Sequence, residues 1–547
     1  MNWDFLVALP VALPILGAGL SLAFASVRRM QGMISAAVLT LVLVVSGALV
    51  VMAMDGPVVL DIGSWAAPVG IALVADRLSA IMLLTSVTVT LLVLLYSLAQ
   101  GAADGDDAAP IAVYHPAFLL LSAGVSNAFL SGDLFNIYVG FELLLTASFV
   151  LITLGGTRDR MRSGTVYIVV SLLSSMVFLI GIALAYASAG TVNLAHLALR
   201  LPEVDPGVRL TIQTLLLVGF GIKAAIFPLS AWLPDSYPTA PAPVTAVFAG
   251  LLTKVGVYTI IRTQVLLFPN NRLDVIIGAF AAATMLIGIL GAVAQQDIKR
   301  LLSFTLVSHI GYMVWGISLS SVNGLGATIY YAVHHITVQT ALFLVVGLVE
   351  RRGGTTSLVR LGSIAKLAPL LAVLYLVPAL NLAGIPPGSG FFGKVGLIQA
   401  SAHRGTWMDW LLVVSGLVTS ILTLYAVTRA WNMAFWQEAP EPLPEQDIPA
   451  GMVGAAATLV AVSLGISFWA GPINQYTREA AAELEARSPY IVAVLPENER
   501  GTGISPQITP DKQLPGVKDR NQLVPDSRKD TPDLTFLDDA VEGSDDE

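Results

Sequence analysis

The sequence contains no cysteine and is poor in charged residues. The absence of cysteine excludes disulfides, thiolate-bound iron–sulfur clusters, cysteine-attached haem and a lipidated cysteine anchor. Only 12% of the 547 residues are charged, which is about half of the roughly 25% that is usual in soluble domains. In contrast, 55% of the residues are hydrophobic and the mean hydropathy is +0.76. This composition predicts an integral membrane protein surrounded by the lipid bilayer.

The net charge of −8 is concentrated at the end of the chain. Up to residue 475 the acidic and basic residues balance, with 21 of each, whereas 476–547 contains 16 acidic and 8 basic residues. The sequence has no basic stripe of the kind that binds nucleic acid. Beyond about residue 500 the chain is rich in Pro, Asp and Gly and has no apolar periodicity, so we predict a disordered acidic tail over 500–547.

Apolar runs long enough to cross a bilayer recur along the chain. A helix needs about 20 residues to cross a hydrocarbon core of roughly 30 Å, and about fourteen such runs lie between residues 4 and 475, among them 208–232, 367–400 and 450–475. They predict an all-α integral membrane fold. The first run, 4–26, is followed rather than preceded by basic residues, which is the reverse of a secretory signal. We therefore expect it to be retained as the first span.

The positions of Lys and Arg predict the orientation of these spans. Loops assigned to the inside carry eleven such residues, and loops assigned to the outside carry six, counting two at their edges. Cytoplasmic loops carry the excess of positive charge. Because the number of spans is even, both termini are expected outside. The stretch 191–201 is amphipathic and is predicted to lie along the membrane face.

Four ionisable residues lie deep within predicted spans, namely Glu142, Lys223, Lys254 and Lys394. Each costs at least about 2.5–3.5 kcal/mol at the centre of a spanning helix, so its presence requires a reason. A single lysine could extend to the interface, and a single glutamate could belong to a structural ion pair. Four such residues in separate spans favour a path for ions or protons instead.

Histidines form a second group of candidates. His334 and His335 are adjacent in the eleventh predicted span, and His309 lies in the tenth. Neutral imidazole relays protons near physiological pH, but each histidine could equally be hydrogen-bonded and packed against a neighbouring helix. Because adjacent residues on a helix point about 100° apart, His334 and His335 are not both expected to face one path squarely.

Helix-breaking residues accompany the lysines. Five prolines lie between Lys223 and Lys254, and glycines and prolines over 384–390 precede Lys394. Broken helices beside buried charges are typical of translocation sites, because freed carbonyls in lipid must face protein or water; a kink needed only for packing is the alternative. The segments 219–223 and 390–394 share the pattern G-F-x-x-K, five spans apart, which is consistent with an inverted repeat.

Several longer motifs resemble the antiporter-like membrane subunit family, which is shared by respiratory complex I, membrane-bound hydrogenases and Mrp-type sodium/proton antiporters. The resemblance covers about 70–490. The motifs are SGDLFNIYVGFELLLTASFVLITLGG (131–156), GFGIKAAIFPLSAWLPDSYPTAPAPVTAVFAGLLTKVG (219–256), QQDIKRLLSFTLVSHIGY (295–312) and GIPPGSGFFGK (384–394). The first of these, together with SPYIVAVLP (488–496), is most similar to the D-subunit branch of the Mrp-type antiporters.

This resemblance implies two inverted five-helix repeats with broken helices, and a division of the chain into five segments. The predicted segments are 1–112, with three helices; 113–267, the first repeat with spans 4–8; 268–435, the second repeat with spans 9–13; 436–499, the last span and a short external amphipathic segment; and the tail. It further implies that Glu142 and Lys223 form the charge pair of the first half-channel, that Lys254 bridges, and that Lys394 is the distal lysine. His334 or His335 would occupy the connecting region.

The expected function is proton translocation within a multisubunit sodium/proton antiporter of a bacterial cytoplasmic membrane. The expected partners are the other subunits of that complex, protons and sodium, with no cofactor, metal or nucleic acid. The alternatives are a proton-pumping subunit of a complex I-like oxidoreductase or hydrogenase, and a scaffold without transport activity. A scaffold would be expected to lose a buried lysine, whereas all three are present. If the chain belongs to a sodium/proton antiporter, as expected, it is a subunit of a secondary transporter and not an enzyme.

Overall fold

The computed structural model describes residues 3–101, 113–269, 273–444 and 446–500, and these are predominantly helical. The predicted acidic tail beyond residue 500 lies outside the described residues. In chain order the helices are α1 Leu9–Ala23, α2 Arg28–Met52, α3 Arg77–Gln100, α4 Tyr114–Leu130, α5 Leu134–Thr153, α6 Arg158–Ala189, α7 Leu194–Arg200, α8 Pro206–Ala224, α9 Trp232–Ser236, α10 Ala242–Val247, α11 Thr253–Leu267, α12 Asp274–Val293, α13 Ile298–Ser318, α14 Val322–Gly353, α15 Ile364–Leu367, α16 Pro369–Ala383, α17 Ser389–Arg404, α18 Trp407–Trp431, α19 Ala450–Phe468, α20 Ala470–Ala486 and α21 Ser488–Val494.

Within the described ranges, eleven helices are long and apolar enough to cross a membrane. A π-helical turn, Phe248–Leu252, joins α10 and α11 into one of these, and a second, Asn432–Trp436, extends α18. The prediction of a multi-pass helical membrane protein is confirmed. The eleven are α2, α3, α5, α6, α8, α10–α11, α12, α13, α14, α18 and α19, while α1 and α16 are shorter apolar helices.

The helices differ in how much of their surface the chain itself covers. Helices α10–α11 and α14 are buried along their apolar length and α13 is nearly so, whereas α2, α6 and α19 expose most of theirs. Exposed apolar faces on helices of spanning length are suited to lipid or to an apolar partner. Polar side chains on α11, α13 and α14 are therefore held inside the protein.

Two predicted spans, 208–232 and 367–400, are interrupted in the structure. Helix α8 ends at Ala225, which has left-handed φ and ψ of 57° and 46°, so Lys223 lies at the end of a helix and not midway along a span. Gly384, with φ of 91°, ends α16, and the chain restarts as α17 at Ser389. Glycine adopts positive φ without steric cost, and the prolines that follow each break do not continue a helix. The predicted breaks beside the lysines are present.

The loops before α5 and α13 make the same backbone contacts. Asp133 pairs with Asn193, and around them Leu134 N donates to Val192 O and Leu194 N to Gly132 O, both over 2.9 Å. In the second half of the chain, Asp297 pairs with Ser357. There Ile298 N donates to Thr356 O over 3.0 Å and Leu358 N to Gln296 O over 2.8 Å. The same number of residues separates the partners in both cases.

Three further predictions need correction. The expectation of an all-α fold missed an antiparallel hairpin, β1 Val58–Asp61 and β2 Ala72–Ala75, because four-residue strands are too short to show periodicity. The amphipathic stretch 191–201 does form helix α7, but Leu194–Ala198 are buried against α11 and α21. The last predicted span, 450–475, ends at Phe468, and the separate helix α20 follows.

Candidate functional site

Lys223 is anchored to the neighbouring helix α6. It lies in the last turn of α8, with its side chain buried, and its ammonium donates to Ser171 O over 3.0 Å and to Ser175 Oγ over 3.3 Å. The ammonium also lies 5.9 Å from the centre of the Phe141 ring. A carbonyl and a hydroxyl thus solvate the amine where water would otherwise be required.

Glu142 on α5 is half-buried, and it lies close enough to Lys223 for electrostatic attraction. Among the described residues it forms no direct ion pair, and its Oε1 atom is buried without a hydrogen-bond partner. The predicted pairing of Glu142 with Lys223 is therefore a through-space interaction and not a contact. Phe141, next to Glu142, contacts Lys223 and occupies part of the space between α5 and α8.

A small cavity borders Lys223. Its volume for a water-sized sphere is about 10 Å³, and Tyr167, Ser171, Lys223 and Leu252 are among its lining residues. This volume is close to what a single water requires. Leu252 belongs to the π-helical turn that precedes Lys254, and Gly256 packs against Ala224 with too little room for a Cβ atom. Helices α8 and α11 are therefore in direct contact at the two lysines.

Lys254 is fully buried at the start of α11. Its ammonium donates to Ala249 O over 2.6 Å, and Ala249 lies in the π-helical turn. A π-helical turn shifts the backbone hydrogen-bond register and leaves carbonyls available to other donors, and such turns recur at functional sites. The interruption of the helix thus supplies the acceptor for the buried amine.

Lys394 is anchored at the second broken helix. Its ammonium donates to Leu382 O over 3.1 Å and to Ala383 O over 2.8 Å, at the C-terminal end of α16. The last carbonyls of a helix lack intrahelical partners and carry partial negative charge, so they favour a cation there. The ammonium also lies 4.8 Å from the centre of the Tyr312 ring.

The two adjacent histidines face different neighbours. His334 Nδ1 lies 2.8 Å from Ser389 Oγ at the start of α17, and its Nε2 has no hydrogen-bond partner among the described residues. Both ring nitrogens of His335 are likewise buried without a partner in this part of the chain, and its ring centre lies 5.4 Å from that of His309. The expectation that the two would not share one direction agrees with these contacts.

The site falls into two groups. His309 and His335 lie within electrostatic range of each other and of both Lys254 and Lys394 around α13 and α14, whereas Lys223 and Glu142 lie together at α5 and α8. The interior between Lys254 and Lys394 is thus lined by imidazoles. The gap between the two groups is bridged by the contact of α8 with α11.

Tyr331 was not among the predicted site residues. Its hydroxyl lies 2.7 Å from His309 Nδ1, and His309 Nε2 lies 3.3 Å from Thr423 Oγ1. Tyr331 precedes His335 by four residues on α14, and this spacing, which places both on one face of the helix, could have indicated it. Ser389, the partner of His334, carried no comparable signal in the sequence.

Comparison with known proteins identifies the family of the chain. A profile of the family described as "NADH:quinone oxidoreductase/Mrp antiporter, TM" matches residues 131–423. A protein from Alkalihalophilus pseudofirmus, named as the D subunit of a Na(+)/H(+) antiporter, is 37% identical over 497 residues, which is 90% of this chain and 99% of that protein.

Two solved structures resemble the chain as a whole. A chain in the structure of the Mrp complex from Dietzia sp. DQ12-45-1b has a TM-score of 0.85 and 33% identity, and the match covers 91% of this chain and 100% of that one. A chain of respiratory complex I from Thermus thermophilus with bound NADH has a TM-score of 0.76 at 24% identity, over 88% and 99% of the two chains, which is a likeness of fold alone. The chain belongs to the membrane-subunit family shared by NADH:quinone oxidoreductases and Mrp antiporters.

Proposed function

We propose that this chain is the proton-translocating subunit of a multisubunit sodium/proton antiporter in a bacterial cytoplasmic membrane. The observation that carries the proposal is the set of three buried lysines, each of which lies at or beside a helix interruption and is bound to a backbone carbonyl. A proton pump of a complex I-like oxidoreductase is the second candidate. The first is favoured because a protein named as an antiporter subunit matches nearly the whole chain at 37% identity, against 24% for the complex I chain.

The proposed membrane arrangement has fourteen crossings and both termini outside. To the eleven long helices it adds α1, α4 and the interrupted pair α16–α17. The proposed repeats are 113–267 and 268–435, between an N-terminal segment, 1–112, and a last span with an external segment, 436–499. The matching backbone contacts before α5 and α13 support the repeats, because equivalent loops are expected at equivalent positions.

The proposed transport step depends on the distance between Glu142 and Lys223. Two charges about 4 Å apart interact by roughly 4 kcal/mol at an effective dielectric constant of 20. Movement of the Glu142 carboxylate towards the ammonium would favour the protonated lysine, and its withdrawal or protonation would favour release. The proton released by Lys223 would pass through the adjacent cavity to Lys254. From there it would pass along the imidazoles to Lys394.

Other subunits are expected to cover the flank that carries Glu142. The carboxylate is half-buried on a helix whose neighbouring residues Phe135, Val139 and Val150 are exposed. A carboxylate in contact with lipid is unfavourable, so a partner subunit or a hydrated interface at α5 would provide its remaining contacts.

The proposal predicts that Lys223→Ala and Glu142→Gln each abolish sodium-driven proton movement. The reason is that the first removes the proton carrier and the second removes the charge that switches it. The measurement is proton flux in everted vesicles that hold the assembled complex. Lys366→Ala is the control, because this lysine is exposed and pairs with Glu438 at the surface over 3.7 Å. Full flux in either test variant, with normal amounts of complex, would contradict the proposed role.

A further inference from the structure

A polar face of α11 connects Lys254 with one end of the protein. Lys254, Tyr258 and Arg262 follow one another at intervals of four residues, which places them on one side of the helix, spread over about 12 Å of its length. Arg262 Nη2 donates to Tyr258 Oη over 3.3 Å, and that hydroxyl donates to Phe129 O over 2.5 Å. All three side chains are buried.

The face ends in a cluster of charges that reaches the surface. Arg262 forms an ion pair with Asp76, over 2.6 Å and 2.7 Å, so its charge is neutralised inside the protein. Arg77, which follows Asp76 in the sequence, pairs with Glu483 at 3.2 Å and with Glu479 at 3.4 Å. The side chains of Arg77 and Glu479 are 18% and 29% exposed, which opens the cluster to solvent.

Glu483 is the buried acid of this cluster. Its side chain is 7% exposed, its Oε2 accepts from Arg77, and its Oε1 is buried without a hydrogen-bond partner among the described residues. A carboxylate with one unsatisfied buried oxygen is poorly stabilised, whereas a protonated carboxyl carries no charge to stabilise. The same oxygen offers a free acceptor position for an incoming proton.

The charges around Glu483 set the pH at which it titrates. Burial first, and then the nearby Asp76, raise its pKa, while Arg77 and Arg262 lower it, and the result is a pKa of about 8. Glu479 on the same helix shares Arg77, and Tyr476 lies within electrostatic range of Glu483, while Tyr258 and Tyr490 lie near Arg262 and Asp76. Glu483 is therefore protonated below about pH 8 and charged above it.

We propose that Glu483 is a proton-exchange group at the outer end of the polar face of α11, where it passes protons from solution towards Lys254. The Glu483 carboxylate accepts a proton from hydronium in the outer solution and becomes neutral, and then gives that proton through water to the hydroxyl oxygen of Tyr258. Tyr258 passes its own hydroxyl proton to the amine of Lys254, which can accept it once it has given its proton onward. No charge is created or lost beyond the proton that moves. This inference rests on the proposed antiport function and orientation, in which α11 ends and α3 begins at the outside.

The test varies the external pH of right-side-out vesicles with the assembled complex, while their internal pH is held constant. In the wild type, proton uptake should fall as the external pH rises through about 8, because the carboxyl loses its proton. Glu483→Gln should lower uptake below about pH 8 by roughly tenfold or more and remove this dependence, as expected for loss of a proton-transfer group. Glu483→Asp should retain a titration, and Glu497→Gln, at an exposed acid outside the cluster, should keep the wild-type profile.

Two outcomes separate this inference from the proposed function. Wild-type uptake that persists unchanged in Glu483→Gln, with the same pH profile, would overturn the role of Glu483 and leave the antiport function standing. A wild-type complex without sodium-driven proton movement would overturn the proposed function itself. Loss of assembled complex in Glu483→Gln, with an unchanged profile in the complex that remains, would show a purely structural residue and so also overturn the inference.

Discussion

His335 is a buried histidine whose imidazole remains able to exchange protons with the protein interior. Both ring nitrogens lack a partner among the described residues, while His309, Lys254 and Lys394 lie within electrostatic range. Buried polar groups in native proteins are almost always hydrogen-bonded, if not to protein then to water. Water between these groups is therefore expected, and His335 would be its most accessible protein acceptor. The adjacent His334 differs because Ser389 holds its Nδ1.

For this residue we predict that His335→Leu slows proton transport by roughly tenfold or more, because an apolar side chain interrupts a relay. The matched control is Thr337→Val on the same helix, since the hydroxyl of Thr337 bonds to Val333 O of its own turn. Flux per assembled complex is the measurement. Equal rates in the two variants would show that His335 is only packed.

The sequence indicated these residues unequally. Glu142, the lysines and the histidines were recognisable because an ionisable group in a long apolar run is costly. Tyr331 and Ser389 were not, since tyrosine and serine are unremarkable in a buried helix and their importance depends on which imidazole lies beside them.

The broken helices explain how Lys254 and Lys394 are held, whereas Lys223 binds Ser171 O within the continuous helix α6. Most carbonyls of a continuous helix are already bonded to their own backbone, so a helix end or a change of register offers better acceptors to a side chain. The end of α16 and the π-helical turn before α11 free the acceptors that Lys394 and Lys254 use. Proline and glycine in the sequence indicated that breaks would occur. The left-handed residue Ala225, which ends α8, was not foreseen, because alanine rarely adopts that conformation.

At the broken helix α16–α17 we predict that Gly384→Ala lowers transport. Gly384 has φ of +91°, and an added Cβ would lie 3.0 Å from Lys394 Cδ. The Lys394 side chain would shift by a few tenths of an ångström and its bonds to the two carbonyls would weaken, so the rate should fall by less than the roughly hundredfold that a displacement near 1 Å can cost. The rate per assembled complex measures this.

The control is Gly405→Ala, because Gly405 also has a positive φ, at +69°. A Cβ atom added there would lie 3.7 Å from its nearest neighbour, the Ala402 carbonyl oxygen, away from the lysines. Both variants bear a backbone cost of about 1–2 kcal/mol. Only the first should affect transport beyond any loss of assembled complex, and an equal effect of the two would indicate that the backbone cost alone is responsible.

The absence of cysteine from the whole molecule allows its membrane orientation to be tested directly, since an introduced cysteine is the only thiol. Val69, in the hairpin loop, is 80% exposed, and the side chain of Glu438 is 87% exposed. The proposed orientation places the first outside and the second inside. An impermeant maleimide should therefore label Val69→Cys in intact cells and Glu438→Cys only in everted vesicles or permeabilised cells. The reverse pattern would contradict the proposed position of the termini.

Composition and apolar run length were sufficient to establish a multi-pass helical membrane protein, because both follow directly from the solvent that lipid provides. The family was indicated separately, by the resemblance of the longer motifs. Composition and run length also identified the ionisable residues that lipid would exclude. What those residues contact could be learned only from the packed helices: Glu142 does not touch Lys223, His334 and His335 face different neighbours, and Glu483 lies within electrostatic range of Arg262 at the end of α11. Such contacts join distant parts of the chain, and neither helical periodicity nor hydropathy encodes which distant helices pack together.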